Sequence, residues 1–378
     1  MNVVVAIDSF KGSLSSLEAG QAVKDAVLAC VPSPNVTVCP MADGGEGTVE
    51  ALSQGRKVKH VKVTVKGPRL TPVEATYSII EESQTAVIEM AAASGITLVP
   101  PHLRNPLETT TYGVGEMMID ALERGCRKLI IGIGGSATND GGVGMLTALG
   151  YAFLDKEGHP IPLGGKGLEH LCSISAEGVH PALFDATILV ACDVENPLCG
   201  ENGCSAIYGP QKGATPDTIK KMDAWLECYA NIARTISPTA NKDYPGAGAA
   251  GGLGFAFLAF TPAVLDKGVD IVLQESHIED VIKTADIVVT GEGRLDGQSV
   301  MGKAPIGVAK LAKKHGKKVI AFCGCVGDGA EACHAHGIDA FFPILRRVTT
   351  LEEALDIPTA YANLKDTAYE VFRLWQMG

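Results

Sequence analysis

The sequence has no excess of basic residues. Its 32 Lys and Arg stand against 43 Asp and Glu, which gives a formal net charge of −11 at pH 7. A chain of this charge repels nucleic acids and anionic membranes, so we expect neither as a partner. An anionic substrate would therefore need Lys or Arg side chains placed locally around it. The sequence also shows no internal repeat, low-complexity tract or flexible linker.

Signs of export or membrane insertion are missing as well. The chain begins with the strand-like run Asn2–Ile7 rather than with the basic segment of a signal peptide. Its longest uncharged stretch, Tyr244–Leu265, is long enough to span a bilayer, but it is rich in Gly and Ala and contains Pro262. This composition favours a buried glycine-rich turn followed by a helix.

The eleven cysteines form no disulfide framework, because their number is odd and their positions are scattered. Reduced thiols in a cytoplasmic protein are therefore the expectation. One cysteine-rich group near the C-terminus matches no common zinc spacing; its members are Cys323, Cys325, Cys333, His334 and His336.

A glycine-rich turn at residues 134–142 is the most informative stretch. It follows Lys128–Ile133, an Ile-rich run that is typical of a buried parallel strand, and a helical pattern resumes after it. Glycines let backbone N–H groups approach an anion, and the following helix N-terminus adds positive potential. Ser136, Thr138 and Asp140 could supply hydroxyl and carboxylate contacts to phosphate or Mg²⁺. From these residues alone, a phosphate site and a ligand-free tight turn are both open.

The two ends of the chain share one pattern of strands and loops, and the middle has a different pattern. Val3–Ile7 and Ile287–Val289 are apolar strands that run into polar loops, whereas the region from Val58 to Met90 looks antiparallel. The 378 residues are enough for about two domains. Because termini usually lie close together, we predict a discontinuous α/β domain with a parallel sheet, residues 1–60 and 285–378, and an inserted α/β domain, residues 61–284.

The G-x-G-x-x-A pattern of residues 132–137, with Asp155 ending the next strand, imitates a dinucleotide fingerprint. It leaves a nicotinamide-dependent hydroxy-acid dehydrogenase as an alternative. Against it, Gly141 and Gly142 would fall early in the required helix, where each Gly costs about 1 kcal/mol. We therefore predict that this helix begins later and that the loop is longer.

Residues 297–304 miss a P-loop by one position. Ala304 replaces the Ser or Thr whose hydroxyl would hold Mg²⁺, so a Walker site is excluded. Lys303 is kept as a candidate phosphate contact.

Carboxylates recur where predicted strands end, at Asp8, Asp43, Asp193, Glu292 and Asp296. Ligands collect beyond the carboxyl ends of parallel strands. Such groups can bind Mg²⁺ or deprotonate a hydroxyl, although each alone also fits a helix cap or a turn. The cations best placed to neutralise a phosphate or carboxylate are Lys11, Lys212 and Arg294.

A series of motifs runs over nearly the whole chain. In the first half they are DSFKGSLSS (Asp8–Ser16), ADGGEGT (Ala42–Thr48), IEMAAASG (Ile88–Gly95) and GIGGSATNDGG (Gly132–Gly142). In the second half they are ACDVENPL (Ala191–Leu198), GPQKGAT (Gly209–Thr215), GAGAAGGLG (Gly246–Gly254), VTGEGRLD (Val289–Asp296) and GKAPIGVAK (Gly302–Lys310). In these motifs and in their order, the chain resembles the bacterial two-domain glycerate kinases.

This resemblance implies a kinase that uses ATP and Mg²⁺ to phosphorylate D-glycerate, with the 2-hydroxyl as acceptor and 2-phosphoglycerate as product. It also implies a flavodoxin-like domain with an inserted domain related to the restriction-endonuclease fold. D-glycerate is then the small-molecule partner, and a monomer or a homodimer is expected. Besides the dehydrogenase, a non-catalytic nucleotide-binding regulator is an alternative to the kinase.

Phosphoryl transfer needs positioning and charge neutralisation, which suggests how the candidate residues divide. The cradle for the ATP phosphates would comprise Gly134, Gly135, Ser136 and Thr138, with contacts from Lys212 and Lys303. The ligands that help hold Mg²⁺ would be Asp193 and Asp43. The glycerate carboxylate and the charge on the moving phosphoryl group would be received by Lys11 and Arg294. The residue that orients and deprotonates the hydroxyl would be Asp296 or, failing it, Asp8.

Overall fold

The computed structural model of the protein describes residues 1–43 and 47–377. Residues 44–46, which belong to the ADGGEGT motif, lie outside the described residues. The chain forms two compact units. The first comprises Met1–Gly55 and Lys267–Gly378, and the second comprises Arg56–Asp266.

The strands of the described residues are, in chain order, β1 (Asn2–Ile7), β2 (Asn35–Val38), β3 (Val58–Lys66), β4 (Pro72–Ile80), β5 (Thr85–Glu89), β6 (Lys128–Gly132), β7 (Ala152–Leu154), β8 (Ser173–Ser175), β9 (Thr187–Ala191), β10 (Ala263–Asp266), β11 (Ile287–Leu295), β12 (Lys318–Val326) and β13 (Ala340–Pro343).

The α-helices of the same residues are α1 (Ser16–Cys30), α2 (Thr48–Ser53), α3 (Ala91–Ser94), α4 (Tyr112–Glu123), α5 (Val143–Ala148), α6 (Cys204–Tyr208), α7 (Pro216–Ala233), α8 (Ala249–Phe260), α9 (Gly268–Glu275), α10 (Ile278–Lys283), α11 (Ala304–Lys314), α12 (Ala332–Ala335), α13 (Leu351–Leu355) and α14 (Ile357–Trp375).

The first unit contains a five-stranded parallel sheet in the order β2-β1-β11-β12-β13. Counted within the unit, this order is 2-1-3-4-5, which is the order of flavodoxin-like sheets. It confirms the predicted α/β class with a parallel sheet. The strand order reverses between β1 and β11, so the carboxyl ends of these two strands flank the crevice where such sheets bind ligands.

Helices α1 and α14 pack together over this sheet. The spacing of Ser15 and Glu18 in the sequence predicts a capping box, and one begins α1. The Ser15 hydroxyl accepts a hydrogen bond from the Glu18 N–H at 3.2 Å, and the Ser15 N–H donates to the Glu18 carboxylate at 2.8 Å. Val23 of α1 and Phe372 of α14 are fully buried with Val5 of β1. This packing fixes the start of α1, and with it the loop that joins β1 to α1.

Strand β11 is longer than its sequence predicts. An apolar strand was expected to end at about Val289, with Thr290–Asp296 as a loop, but pairing with β12 continues to Leu295. The prediction was wrong because the polar, glycine-containing run has no strand pattern of its own; its backbone is held by the neighbouring Cys323–Val326. Glu292 and Arg294 are therefore strand residues.

The second unit contains a six-stranded mixed sheet in the order β10-β9-β6-β5-β4-β3. Strands β3, β4 and β5 pair antiparallel, as predicted, and β5, β6, β9 and β10 pair parallel. The carboxyl ends of the four parallel strands therefore lie along one edge. The relation of this unit to the restriction-endonuclease fold stays a prediction.

The compact units change at residues 56 and 267, whereas the predicted domain boundaries stand at residues 61 and 285. Strand β3 already begins at Val58, and the helices α9 and α10 pack against α11 of the first unit. The domain boundaries themselves stay a prediction.

The uncharged stretch Tyr244–Leu265 contains a buried helix, α8, as expected from its composition. Its residues 250–252 have left-handed backbone, so the regular helix follows a glycine-rich turn. Among the residues that the structure describes, no helix has the length and apolarity needed to cross a membrane.

Candidate active site

The first unit has a cavity of about 320 Å³ at the carboxyl ends of β1 and β11. Five predicted site residues line it: Asp8, Lys11, Asp43, Arg294 and Lys303. Glu292 lines it too, and apolar side chains such as Phe10, Leu351 and Leu355 form another part of its wall. The cavity therefore combines carboxylates and cations at the switch point of the sheet, where the topology predicts a ligand.

Asp8 directly follows β1 and is only 6% exposed. One carboxylate oxygen accepts a hydrogen bond from the Ser9 N–H at 2.7 Å. Burial, reinforced by the nearby charge of Asp43, raises the pKa of Asp8 to about 7. A carboxylate that titrates near neutral pH is suited to accept a proton from a hydroxyl.

The two predicted cations around the carboxylate groups are exposed. Lys11 donates a hydrogen bond to Asp43 at 2.9 Å, and its side chain is 73% exposed. Arg294 forms an ion pair with Asp296 at 3.2 Å and is 65% exposed. Both cations can therefore reach an anionic ligand from solvent, at little cost in lost ion pairing because exposed pairs are worth less than about 1 kcal/mol.

Asp296 is held by two neighbouring groups. Besides the ion pair with Arg294, its carboxylate accepts a hydrogen bond from the Gln298 N–H at 2.9 Å. Its side chain is 15% exposed, and it is absent from the residues that line the cavity. The structure thus places Asp296 behind Arg294.

Glu292 is a site residue that the predicted catalytic set leaves out. It is 7% exposed, and its carboxylate accepts hydrogen bonds from the buried Ser299 hydroxyl at 2.5 Å and from the Lys303 ammonium at 3.3 Å. Ser299 in turn accepts from the Asp296 N–H at 3.1 Å. Burial raises the pKa of Glu292. The sequence signal for Glu292 was its place among the strand-end carboxylates; Ser299 had none.

In the second unit, the glycine-rich loop joins β6 to α5. The helix begins only at Val143, with Gly142 as its N-cap, so the predicted late start is confirmed. Gly134 and Gly135 are exposed, and Gly135 has a φ of +72°. Residue 135 therefore favours glycine, and the backbone of this pair is open to solvent.

Three other motifs of the second unit pack against this loop. The Ile96 N–H, just after the IEMAAASG motif, donates to the Gly135 carbonyl at 2.8 Å. The Gly141 N–H donates at 3.0 Å to the carbonyl of Gly251, in the GAGAAGGLG motif. A Cβ at Gly251 would lie 2.1 Å from the Thr138 carbonyl oxygen, so only glycine fits there. The third motif, GPQKGAT, contributes Lys212.

Lys212 lies beneath the loop and is 2% exposed. Its ammonium donates to the Ser136 hydroxyl at 2.8 Å and to the Thr138 carbonyl at 2.6 Å. Ser136 is 8% exposed and Thr138 is fully buried. The structure thus brings the predicted cradle residues of this loop together with Lys212, but it presents Gly134 and Gly135 outward and the other three residues, Ser136, Thr138 and Lys212, inward. Direct contacts of these three with phosphate stay a prediction.

Asp140 has a structural role that differs from the expected contact to phosphate or Mg²⁺. It is fully buried, and its carboxylate accepts hydrogen bonds from the N–H groups of Thr111, Gly142 and Gly144 and from the Thr111 hydroxyl. Burial raises its pKa. The carboxylate ties the start of α5 to the start of α4 and is not available to an external ion.

The two predicted Mg²⁺ ligands belong to different units. Asp43 has a side chain that is 32% exposed, and Asp193 is an exposed residue just beyond β9. Gly132 of β6 pairs in register with Ala191 of β9, so Asp193 follows the strand next to the glycine loop. Mg²⁺ is commonly held by one or two carboxylates together with substrate phosphates, and accessible carboxylate oxygens fit that donor set.

Comparison with known proteins places this arrangement in a family. A family model described as the glycerate kinase family matches residues 3–376. The chain is 47% identical over 374 residues to a glycerate kinase of Haemophilus influenzae, which covers 99% of this chain and 98% of that protein. It is 47% identical over 364 residues to the glycerate 2-kinase of Escherichia coli, which covers 96% of this chain and 95% of that protein.

A crystal structure agrees with this placement. The structure, assigned as a glycerate kinase 2 from Salmonella typhimurium LT2, matches with a TM-score of 0.91 at 45% identity and covers 100% of this chain and 99% of that one. The match extends over both units, and so do the motifs that the sequence shares with the family. The protein is therefore an enzyme of the glycerate kinase family.

Proposed function

We propose that this enzyme transfers the γ-phosphoryl group of ATP to the 2-hydroxyl of D-glycerate and releases 2-phosphoglycerate and ADP. Membership of the glycerate kinase family argues against both alternatives, the nicotinamide-dependent dehydrogenase and the non-catalytic regulator. The observation that carries the proposal is the cavity of the first unit, where a carboxylate with a near-neutral pKa lies among exposed cations. The name of the relative from E. coli supports the 2-position.

Asp8 is the proposed base. Its buried carboxylate lines the cavity and its pKa of about 7 allows it to take a proton from the hydroxyl at neutral pH. Asp296, which the sequence favoured for this role, is held by Arg294 and the Gln298 N–H and does not line the cavity. We therefore assign Asp296 to orienting Arg294.

Lys11 and Arg294 are the proposed anion receptors. Arg294 offers a guanidinium that can hold a carboxylate or a phosphoryl group through two parallel hydrogen bonds, whereas Lys11 acts as a mobile point charge. Both are exposed at the cavity, and together they supply the local positive charge that an overall acidic chain needs to bind an anionic substrate. Lys303, which is bonded to Glu292, is a further proposed phosphate contact.

The nucleotide phosphates are proposed to bind the glycine loop of the second unit. The exposed backbone of Gly134 and Gly135, directly after a parallel strand, supports this assignment. Asp43 of the first unit and Asp193 of the second are each kept as a proposed Mg²⁺ ligand. A bound Mg²⁺ would neutralise phosphate charge during transfer.

An ADP-release assay across a panel of small hydroxy acids tests the proposal. ADP should form only when ATP, Mg²⁺ and D-glycerate are all present, and phosphorus NMR should show the phosphate on the 2-oxygen. Arg294→Ala should lower the rate of ADP release, because it removes a proposed anion receptor. Arg346→Ala changes another exposed arginine of the first unit and, as the matched control, should retain activity. A product phosphorylated at the 3-position, or turnover with another hydroxy acid but not with D-glycerate, would overturn the assignment.

A further inference from the structure

Lys212 is unusual because its charge is buried under the glycine loop. It ends a short 3-10 helix, Pro210–Lys212, and Gly213 follows with a φ of +91°. A Cβ at Gly213 would lie 2.1 Å from the Arg104 carbonyl oxygen, so the backbone after Lys212 is tightly packed. The lysine is therefore held in place from one side, and it reaches into the loop on the other.

Both hydrogen bonds of the ammonium end on the loop. One goes to the Ser136 hydroxyl and the other to the Thr138 carbonyl, at 2.8 and 2.6 Å. These acceptors flank Ala137 and directly follow the exposed pair Gly134 and Gly135. The ammonium thus links Ser136 to Thr138, next to the two glycines whose backbone is exposed to solvent.

The buried charge has no carboxylate bonded to it within residues 1–43 and 47–377. The charged or titratable groups that act on it are Asp140, whose oxygens are engaged by backbone N–H groups and threonine hydroxyls, and the buried thiol of Cys204. Burial lowers the pKa of Lys212 to about 8. A buried ammonium without a bonded counter-ion is costly, and a second anion placed on the outer face of the loop would offset that cost.

We propose that Lys212 is a positioning residue that shapes the glycine loop from beneath and supplies the positive charge that draws nucleotide phosphates to its outer face. This inference rests on the proposed function, since it assumes that the loop binds the nucleotide. It replaces direct contact between Lys212 and phosphate with an effect transmitted through Ser136 and Thr138. The role explains how a loop whose outer face is glycine can attract a polyanion.

Equilibrium binding of MgATP and steady-state kinetics test this inference. Lys212→Met should weaken MgATP binding by at least about tenfold, the scale of one charge acting over several ångströms of protein, while the KM for D-glycerate stays unchanged. Lys220→Met removes the charge of an exposed lysine in the same unit and should change neither quantity. Unchanged MgATP affinity in a folded Lys212→Met enzyme would overturn the inference.

The pH dependence of MgATP affinity distinguishes an effect of the Lys212 charge from purely structural support of the loop. In the wild-type enzyme, MgATP affinity should fall about tenfold or more between about pH 7 and about pH 9.5, because Lys212 loses its proton over this interval. Lys212→Met should show a flat profile. A flat wild-type profile overturns the inference even if the variant fails to fold.

A loop variant distinguishes failure of the inference from failure of the proposed function. Gly134 has open space around an added Cβ and no left-handed backbone, so Gly134→Asp should fold and place a negative charge on the outer face. If this variant binds MgATP as well as wild type, the loop is not the phosphate site and the proposed nucleotide assignment fails. If it binds poorly while Lys212→Met binds normally, only the role of Lys212 is refuted.

Discussion

Replacing Asp8 by asparagine should make this enzyme less active and, at alkaline pH, more stable. The side chain is 6% exposed, and its pKa lies at about 7 in the folded protein against an ordinary value of 3.8. Between those values the folded protein holds a proton that the unfolded chain has released. Stability contributed by this proton is therefore present at low pH and is lost as the pH rises through about 7.

The magnitude follows from this shift. The folded pKa of Asp8 lies about two pH units above pH 5, and each unit is worth about 1.36 kcal/mol. Ionisation of Asp8 should therefore cost the wild-type protein about 3 kcal/mol of unfolding free energy between pH 5 and pH 8. Asp8→Asn cannot ionise. The unfolding free energy of the variant minus that of wild type should therefore increase by about 3 kcal/mol over the same interval.

Denaturant unfolding in a Trp225→Phe background provides the assay. The chain has two tryptophans, and Trp375 of α14 then reports alone on the unit that contains Asp8. Asp366→Asn removes an exposed carboxylate of the same unit and serves as the control. Its unfolding free energy minus that of wild type should change by less than about 1 kcal/mol between pH 5 and pH 8. A difference between Asp8→Asn and wild type that does not vary with pH would show that the Asp8 pKa is not raised.

The same variant tests the proposed base. Asp8→Asn should lower kcat about 10²–10⁴-fold, the usual contribution of a general base. In wild type, kcat should rise with pH through about 7, because only the ionised carboxylate can accept the proton. If Asp8→Asn retains wild-type kcat, the base is another group.

Three further predictions concern other residues of the two units. Arg294→Ala should lower kcat/KM by about 10²–10³-fold, since the exposed guanidinium is proposed to act on the substrate, and circular dichroism should show unchanged secondary structure. Kinetics equal to wild type would refute its role. Ser299→Ala should cost about 1–3 kcal/mol in denaturant unfolding and raise the pKa of Glu292 further, because a buried carboxylate loses a hydrogen bond. An unfolding free energy equal to that of wild type would contradict this hydrogen bond. Gly251→Ala should destabilise the second unit by more than about 1 kcal/mol in thermal unfolding, since the residue has a φ of +73° and its Cβ would collide with the Thr138 carbonyl. A melting temperature equal to wild type would contradict this packing.

Much of the fold could be read from local patterns. The capping box of Ser15 and Glu18, the parallel strands at both ends of the chain and the late start of the helix after Gly142 were all predicted and are all present. These features depend on residues that are neighbours in the chain. Hydrogen bonds between Ser15 and Glu18, or the cost of glycine early in a helix, do not require knowledge of any distant contact.

The family could also be recognised from the sequence, because several of its motifs, such as DSFKGSLSS and GIGGSATNDGG, are loops that follow parallel strands. Strand order places the carboxyl ends of β1 and β11 side by side, and this is why Asp8 and Arg294, which are 286 positions apart, line one cavity. The sequence determined which residue types stand at the strand ends. It did not determine which of them face outward.

Only the tertiary structure decided the burial and the bonding partners of Glu292, Lys212 and Asp140. Their burial and their partners come from contacts across the chain, such as the bond from Lys212 to Ser136, which lie 76 positions apart. A carboxylate or ammonium has the same sequence signal whether it faces solvent or the core. Its pKa and its availability to a ligand depend on desolvation and on the groups packed around it, and packing exists only once distant segments have come together.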